Sequence, residues 1–203
     1  IFELPALTAD ELDLLPLFCA CLSEVGSAGR DYRATQARQA AVTGGLSARA
    51  TVRGGVDDVR QVKGVLALTG KALARNQAAL ADLLWETWTT PRFDELPRLR
   101  ELIAQMRSHR EEGITHHGHA LAMAAATASL SPVAALNQRW DGLNGLQRLK
   151  ALDDALDDAE SLAAFAARLE QLRDRLQHAP RQLLVVSEAE RQSAMIEALA
   201  VHW

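Results

Sequence analysis

VKGVLALTGKALARNQAALADLLWETWTTPRFDELPRLRELIAQMRSHR, residues 62–110, is the stretch that decides the fold of this chain. Its first residues alternate between apolar and polar side chains, and this period of two predicts a β-strand. After Gly70 the apolar spacing becomes helical, which predicts two helices separated by residues 90–94. Asp94 is expected to cap the second helix, and Pro97 falls in its first turn, where a missing N–H is harmless. The stretch therefore predicts a strand followed by an αα-hairpin.

Short motifs inside and around this stretch resemble a known family. T-G-K-A-L-x-R-N begins at Thr69, W-T-T-P-x-F-D spans residues 88–94, and Q-M-R-S spans residues 105–108. In this order and spacing they are similar to the insulinase/pitrilysin metallopeptidases, and within them to the presequence-protease branch, in the half of the molecule that holds no zinc. The resemblance covers most of residues 10–150 and also includes these segments: Leu15–Phe18, Ser23–Gly26, Thr43–Ser47, Gly118–Ala120 and Trp140–Leu143.

The resemblance implies a fold and a parent molecule. Members of this family are zinc metalloendopeptidases that close two related halves around a chamber and cleave unfolded peptides inside it. The zinc ligands and the catalytic glutamate belong to the N-terminal half, whereas the present chain resembles the first domain of the C-terminal half. Residues 1–203 are therefore expected to form a single α+β domain, a fragment of a longer multidomain peptidase. The implied partners are the remaining domains of the same parent chain and unfolded peptide substrates.

The resemblance also implies that this part of the parent holds no catalytic, metal-binding or cofactor-binding residue, so the fragment alone is expected to be inactive. Zinc is expected only in the parent's other half. The alternative is a protein–protein interaction module derived from a peptidase half, which works without a zinc-bearing half. A His-x-x-Glu-His motif upstream in the same reading frame would favour the peptidase.

The composition is that of an ordinary globular protein. The chain has 203 residues, 48% of them hydrophobic and 24% charged, which is enough for a substantial core. A net charge of −4 argues against a nucleic-acid partner, since such proteins carry a concentrated basic surface. No apolar run has the length of a membrane span, and no signal peptide is visible, so no membrane partner and a cytoplasmic location are expected.

The rest of the pattern completes an α+β fold. Residues 46–53 alternate strictly and are expected to pair with residues 59–69 as an antiparallel hairpin, giving a small, largely antiparallel sheet with several helices packed on one face. A first helix is expected from Thr8 or Asp10, kinked at Pro16 or beginning there. Further expectations concern a small-residue helix over 113–130 that allows close packing, a buried strand over 182–187, and a capping box over 187–190.

The candidate chemistry centres on histidines. His109 is followed three residues later by Glu112, but Gly113 stands where the inverzincin motif His-x-x-Glu-His needs its second histidine. His109, His116 and His119 are the remaining candidates for a different zinc site. A structural or solvent-exposed role is the favoured interpretation, because a second-shell partner and a further ligand are missing.

Three other groups of residues have a functional and a structural interpretation. The pairs Asp153-Asp154 and Asp157-Asp158 resemble a magnesium site, but a solvated helix end is favoured. Cys19 and Cys21 are expected to be core thiols in a reducing compartment. Three tryptophans could line a peptide groove, although core packing is the commoner role of such residues: Trp85, Trp140 and Trp203. No G-x-S-x-G nucleophile motif occurs.

Overall fold

A computed structural model describes residues 1–203 as nine α-helices and three strands, with two short 3₁₀ helices at 74–76 and 189–191. In chain order the elements are β1 (Phe2–Glu3), α1 (Ala9–Leu22), α2 (Tyr32–Val42), β2 (Gly45–Gly54), β3 (Val62–Lys71), α3 (Gln77–Thr89), α4 (Leu96–Gly113), α5 (Gly118–Thr127), α6 (Pro132–Trp140), α7 (Leu143–Ala155), α8 (Ala159–Gln177) and α9 (Gln192–Ala200). None of these helices is long and apolar enough to cross a membrane.

The three strands form one antiparallel sheet in the order β1-β3-β2. β2 and β3 pair along their whole length as the predicted hairpin, with Ala50 opposite Leu66. β1 pairs only briefly with the other edge of β3, with Phe2 opposite the same Leu66. Since directly opposite residues share a face, Phe2, Ala50 and Leu66 define one face of the sheet.

All helices that contact the sheet cover this one face, as the alternation in residues 46–53 predicts. Leu66 is fully buried, and Ala48, Ala50 and Val52 pack against the main hydrophobic core. The opposite face carries no helix, and Arg49, Arg53 and Lys63 are exposed there. The α+β fold class, with a small antiparallel sheet and helices on one face, is confirmed.

The core joins distant parts of the chain through large apolar side chains. Phe2 of β1 stacks on Trp88 of α3 with ring centroids 3.8 Å apart, and Phe18 of α1 lies 5.7 Å from Phe93. Each such side chain contributes about 1.5–3 kcal/mol when it leaves water. Other fully buried members of the core come from α1, α4 and α8: Leu15, Leu99, Ile103 and Leu169.

The first helix begins where its capping residues are, not at its proline. Thr8 caps α1 by accepting a hydrogen bond from the Glu11 N–H, while the Glu11 carboxylate accepts one from the Thr8 N–H. Pro16 lies inside α1, so a helix that begins at Pro16 is wrong. Because Leu14, Leu15 and Phe18 are buried around it, packing offsets the hydrogen bond that the proline cannot make.

The predicted cap of the second hairpin helix is also wrong. Glu95, not Asp94, is the N-cap residue of α4, and no side chain caps this helix. The Asp94 carboxylate instead accepts a hydrogen bond from Arg92 at 2.8 Å. The Glu95 carboxylate lies across the loop after α1, where it accepts hydrogen bonds from the N–H groups of Gly26 and Tyr32. A local contact of Asp94 and a tertiary contact of Glu95 therefore take both carboxylates away from the helix end.

Residues 182–187 do not form the predicted buried strand. Only Arg181 bridges Phe2, and beyond it Leu184 and Val186 are 76% and 88% exposed. The segment has the composition of a strand, but no strand lies beside it to accept its backbone hydrogen bonds. The predicted capping box is absent too, because no side chain caps the 3₁₀ turn at 189–191 or α9.

The small-residue helix α5 contacts the helix that follows it, α6. It has no buried residue, and a side chain added at Gly118 would meet nothing within 4 Å. Its Met123 is 65% exposed, and Ala124 is only half-buried. The predicted approach of another helix is thus met by α6, although no residue of α5 is fully buried.

Candidate functional site

The candidate histidines are spread over three elements. His109 lies near the end of α4, His116 in the turn that follows, and His119 in the first turn of α5. All three side chains are exposed. The structure does not bring these or any other three His, Cys, Asp or Glu side chains together as a group that could hold a metal ion.

The donor set of this region does not fit a catalytic zinc ion. Such a site needs three converging protein ligands, and His109 is followed by Glu112 and Gly113 instead of a second histidine. The neighbouring His117 ring lies 2.9 Å from the Gly113 carbonyl oxygen, a local contact within the turn. No carboxylate forms a hydrogen bond with any of the three candidate histidines, so they lack the partners that orient zinc-binding histidines. The assignment of no metal site stays a prediction.

Arginines from α4 pair with three of the four aspartates at and just after the end of α7, and the fourth, Asp158, caps α8. Asp153 is only 5% exposed and accepts a hydrogen bond from Arg107 at 2.8 Å and another from Arg100. Arg107 also bonds Asp154 at 2.6 Å, and these carboxylates raise the pKa of its guanidinium. The favoured solvated helix end is therefore wrong for Asp153, whose carboxylate holds two helices together rather than facing water.

The two cysteines are core residues, as predicted. Cys19 and Cys21 are both buried and unbridged on α1. Burial raises the pKa of each thiol to about 12, so the reactive thiolate is essentially absent near neutral pH.

A concave apolar groove lies beside the uncovered edge of β3. We call it the β3 groove; its volume is about 680 Å³. One wall is β3 from Ala67 to Lys71, the opposite wall is the segment 181–188, and α3 and α9 form the floor. Its lining is mainly apolar and includes Leu68, Leu80, Leu84, Met195 and Leu199.

One of the three tryptophan candidates lines this groove. Trp203 belongs to its lining and packs edge-on against Trp85, with ring centroids 5.1 Å apart. Trp140 is buried elsewhere, where its indole N–H donates to the Leu12 carbonyl oxygen at 2.8 Å. The segment 181–188 was missed as part of a site, although its run of apolar residues without polar alternation was the available signal.

The groove and the bare face of the sheet together can contact an extended polypeptide. An open strand edge offers backbone donors and acceptors, and apolar pockets beside it accept alternate side chains. The bare face adds the exposed cations Arg49, Arg53 and Lys63, with Glu3 as the acidic residue of β1. This arrangement suits binding or assembly.

Comparison with protein families gives one matching family model. The family described as associated with the peptidases of family M16, subfamily C, matches residues 1–152. The match spans β1 to most of α7, including the sheet, the αα-hairpin and the histidine region.

Several curated proteins are similar to this chain. The mitochondrial presequence protease of Danio rerio is 31% identical over 143 residues, which is 70% of this chain and 14% of the relative. The mitochondrial presequence protease of Drosophila melanogaster is 26% identical over 83% of this chain and 17% of its own length. Presequence protease 1, chloroplastic/mitochondrial, of Arabidopsis thaliana is 26% identical over 85% of this chain and 16% of its own length. The chain thus spans about one sixth of the relatives' length or less.

Proposed function

The chain belongs to the family associated with the subfamily C peptidases of family M16, and on that basis we propose that it is a non-catalytic domain of a longer zinc metalloendopeptidase. In this proposal the domain forms part of the wall of an enclosed chamber and contacts unfolded peptides there. Its partners are the remaining domains of the same parent chain. The main support is the family match over residues 1–152, together with relatives whose names describe presequence proteases and of which this chain spans 14–17%.

The chemistry of the chain agrees with a supporting role. The catalytic step of a zinc peptidase needs a metal-bound water and a carboxylate base, and the sequence supplies neither a complete motif nor a converging donor set. What it does supply is surface: an apolar groove of about 680 Å³ and a helix-free sheet face. Such features position a polypeptide rather than cleave it.

Metal content and peptidase activity test this proposal together. After dialysis against metal-free buffer, elemental analysis of the 203-residue chain should find well under one zinc per chain. The same chain should not cleave a quenched fluorescent unstructured peptide, whereas the full-length parent with zinc should. One tightly held zinc per chain, or strong zinc-dependent cleavage by the 203-residue chain alone, would overturn the proposal.

The same assay on the parent protein distinguishes the proposed peptidase domain from the alternative, a protein–protein interaction module. A parent that lacks an upstream His-x-x-Glu-His motif and cleaves no peptide would favour an interaction module that works without a zinc-bearing half. The exposed helix α5, which has no buried residue, would then be the first surface to examine.

The cellular location is tested separately. The cytoplasmic location expected from the sequence stays a prediction, and the relatives carry mitochondrial or chloroplastic names. Imaging of the fluorescently tagged full-length parent beside compartment markers checks it. Signal confined to an organelle would show the prediction to be wrong.

A further inference from the structure

The first observation is an uncovered edge on β3. β1 pairs with β3 only at Val65 and Leu66, and the Leu4 N–H extends this contact by donating to the Gly64 carbonyl oxygen at 2.9 Å. In an antiparallel ladder, residues two apart point their backbone groups to the same side. Leu68 and Gly70 therefore direct their N–H and C=O groups into the β3 groove, where no strand lies beside them.

The second observation is a strand-like segment on the opposite wall. The Gln182 N–H donates to the Ile1 carbonyl oxygen at 2.8 Å, and the Ile1 amino group donates to the Gln182 carbonyl oxygen at 3.0 Å. This segment is thus in register with the far edge of β1. By the same alternation, Leu184 and Val186 are the next residues whose backbone groups face the groove, and they too lie beside no strand.

The two walls are in register with each other through β1. β1 bonds β3 through one set of alternate residues and bonds Gln182 through the other set. A strand collinear with β1 would continue both ladders, bonding Leu68 and Gly70 on one side and Leu184 and Val186 on the other. The groove is therefore the space of one strand in a four-stranded antiparallel sheet. This explains why residues 182–187 have a strand's sequence and lack a strand's structure.

We propose that the β3 groove binds an extended segment of the parent polypeptide joined to Ile1, which continues β1 between β3 and residues 182–187. This inference rests on the proposed function, because it requires that the chain is part of a longer protein. The inserted segment covers β3 from Leu68 to Lys71. Its residues opposite Leu68 and Gly70 are apolar, since they face the same side as the groove floor formed by α3 and α9.

Continuity with β1 favours a covalently joined segment over a separate peptide. The backbone of β1 already bonds β3 on one side and Gln182 on the other, so a segment joined to it enters the groove in register with both walls.

Backbone hydrogen exchange tests the proposal directly. The 203-residue chain is compared with a protein extended by the eight or so residues encoded just upstream of Ile1, at equal concentration. In the extended protein, exchange at Leu68, Gly70, Leu184 and Val186 should slow at least tenfold, that is by about 1.4 kcal/mol of local stability. An extension of Gly and Ser of the same length serves as the control and should protect none of these amides.

A matched pair of proline variants makes the test specific. Leu184→Pro removes an N–H that faces the groove, so it should abolish the protection at Val186 in the extended protein. Leu183→Pro removes an N–H that faces away from the groove, so it should leave the protection in place.

Three outcomes would overturn the proposal: equal exchange in the extended and Gly-Ser proteins, equal effects of the two prolines, or protection in the 203-residue chain that rises with its concentration and so reflects a second copy. Protection that arises with the upstream residues added as a free peptide, but not with the fused segment, would also contradict it. These readouts do not involve zinc or cleavage. Protected amides in a parent without peptidase activity would therefore reject the proposed function and retain this inference.

Discussion

The charge partners of Asp153 could not be predicted from its residue type and local spacing. The sequence identifies four aspartates at the end of α7, but it does not show that Arg100 and Arg107 of α4 lie over them, because these partners are some fifty positions away. Local spacing can predict which residues share a helix face, whereas the charge partner depends on how α4 packs on α7. For this reason the buried ion pairs were not predicted. The buried cysteines of α1 were predicted, because they lie inside a segment that is apolar on more than one side.

Removal of the Asp153 carboxylate should destabilise the domain. Asp153→Ala leaves two arginines without their buried acceptor and should lower the free energy of unfolding by about 1.5–3 kcal/mol, measured by urea denaturation. Asp154→Ala is the matched control, since the Asp154 side chain is 69% exposed. It should cost less than about 1 kcal/mol. Equal losses in the two variants would contradict the assigned role of Asp153.

The cysteine thiols should be unreactive in the folded chain. Because burial raises the pKa of Cys19 and Cys21 to about 12, thiolate forms only when the core opens. Ellman's reagent should therefore label both thiols at the rate of unfolding and label them at once in denaturant. Ser193→Cys places a thiol at an exposed position of α9 and should react within the dead time as a control. Fast labelling of the unmodified native chain would refute the prediction.

At the scale of elements, periodicity predicted which segments are helices and strands far better than it predicted their ends. The β2–β3 hairpin and the αα-hairpin both follow from the local pattern. The cap of α4 was wrong because Glu95 bonds the loop after α1, and residues 182–187 were wrong because a strand exists only beside another strand. The placement of Glu95 and the absence of a strand at residues 182–187 both depend on partners that are distant in the sequence.

The close approach of α6 and α7 at their junction requires a residue without a side chain at position 145. A methyl group at Gly145 would lie 2.3 Å from the Trp140 carbonyl oxygen, which is backbone and cannot rotate away. Gly145→Ala should therefore push the two helices apart and cost about 1–3 kcal/mol in thermal or chemical denaturation. Gly118→Ala in α5 meets open space and should be neutral or stabilise by up to about 1 kcal/mol. If Gly145→Ala is as stable as Gly118→Ala, the close approach is not required.

At the scale of the whole molecule, Phe2 connects the first strand to the last residues of the chain. Its ring stacks on Trp88 and lies 5.9 Å from Trp203. Nothing in the sequence indicated that β1 is held between α3 and the C-terminal segment. The β3 groove was not predicted for the same reason, since its walls, β3 and the segment 181–188, are far apart in the sequence.

Truncation of Phe2 should loosen this connection. Phe2→Ala should lower the free energy of unfolding by about 3–5 kcal/mol and change the fluorescence of the tryptophan on which the ring stacks. Val56→Ala is the control, because Val56 in the hairpin loop is fully exposed and should contribute almost nothing. A loss below about 1 kcal/mol for Phe2→Ala would show that the ends of the chain are not held together through this ring.

The hydrogen bonds between Ile1 and Gln182 join residues 181 positions apart, whereas the β2–β3 hairpin closes over a short loop. This difference in sequence separation predicts the order in which the two contacts form. Short loops close first because the entropy lost on closure grows with loop length. The hairpin and the helices next to it in sequence can therefore form early, and β1 can then join β3 at Leu66 across an intermediate separation. The contact of β1 with residues 180–182 spans the longest separation and is expected to form last.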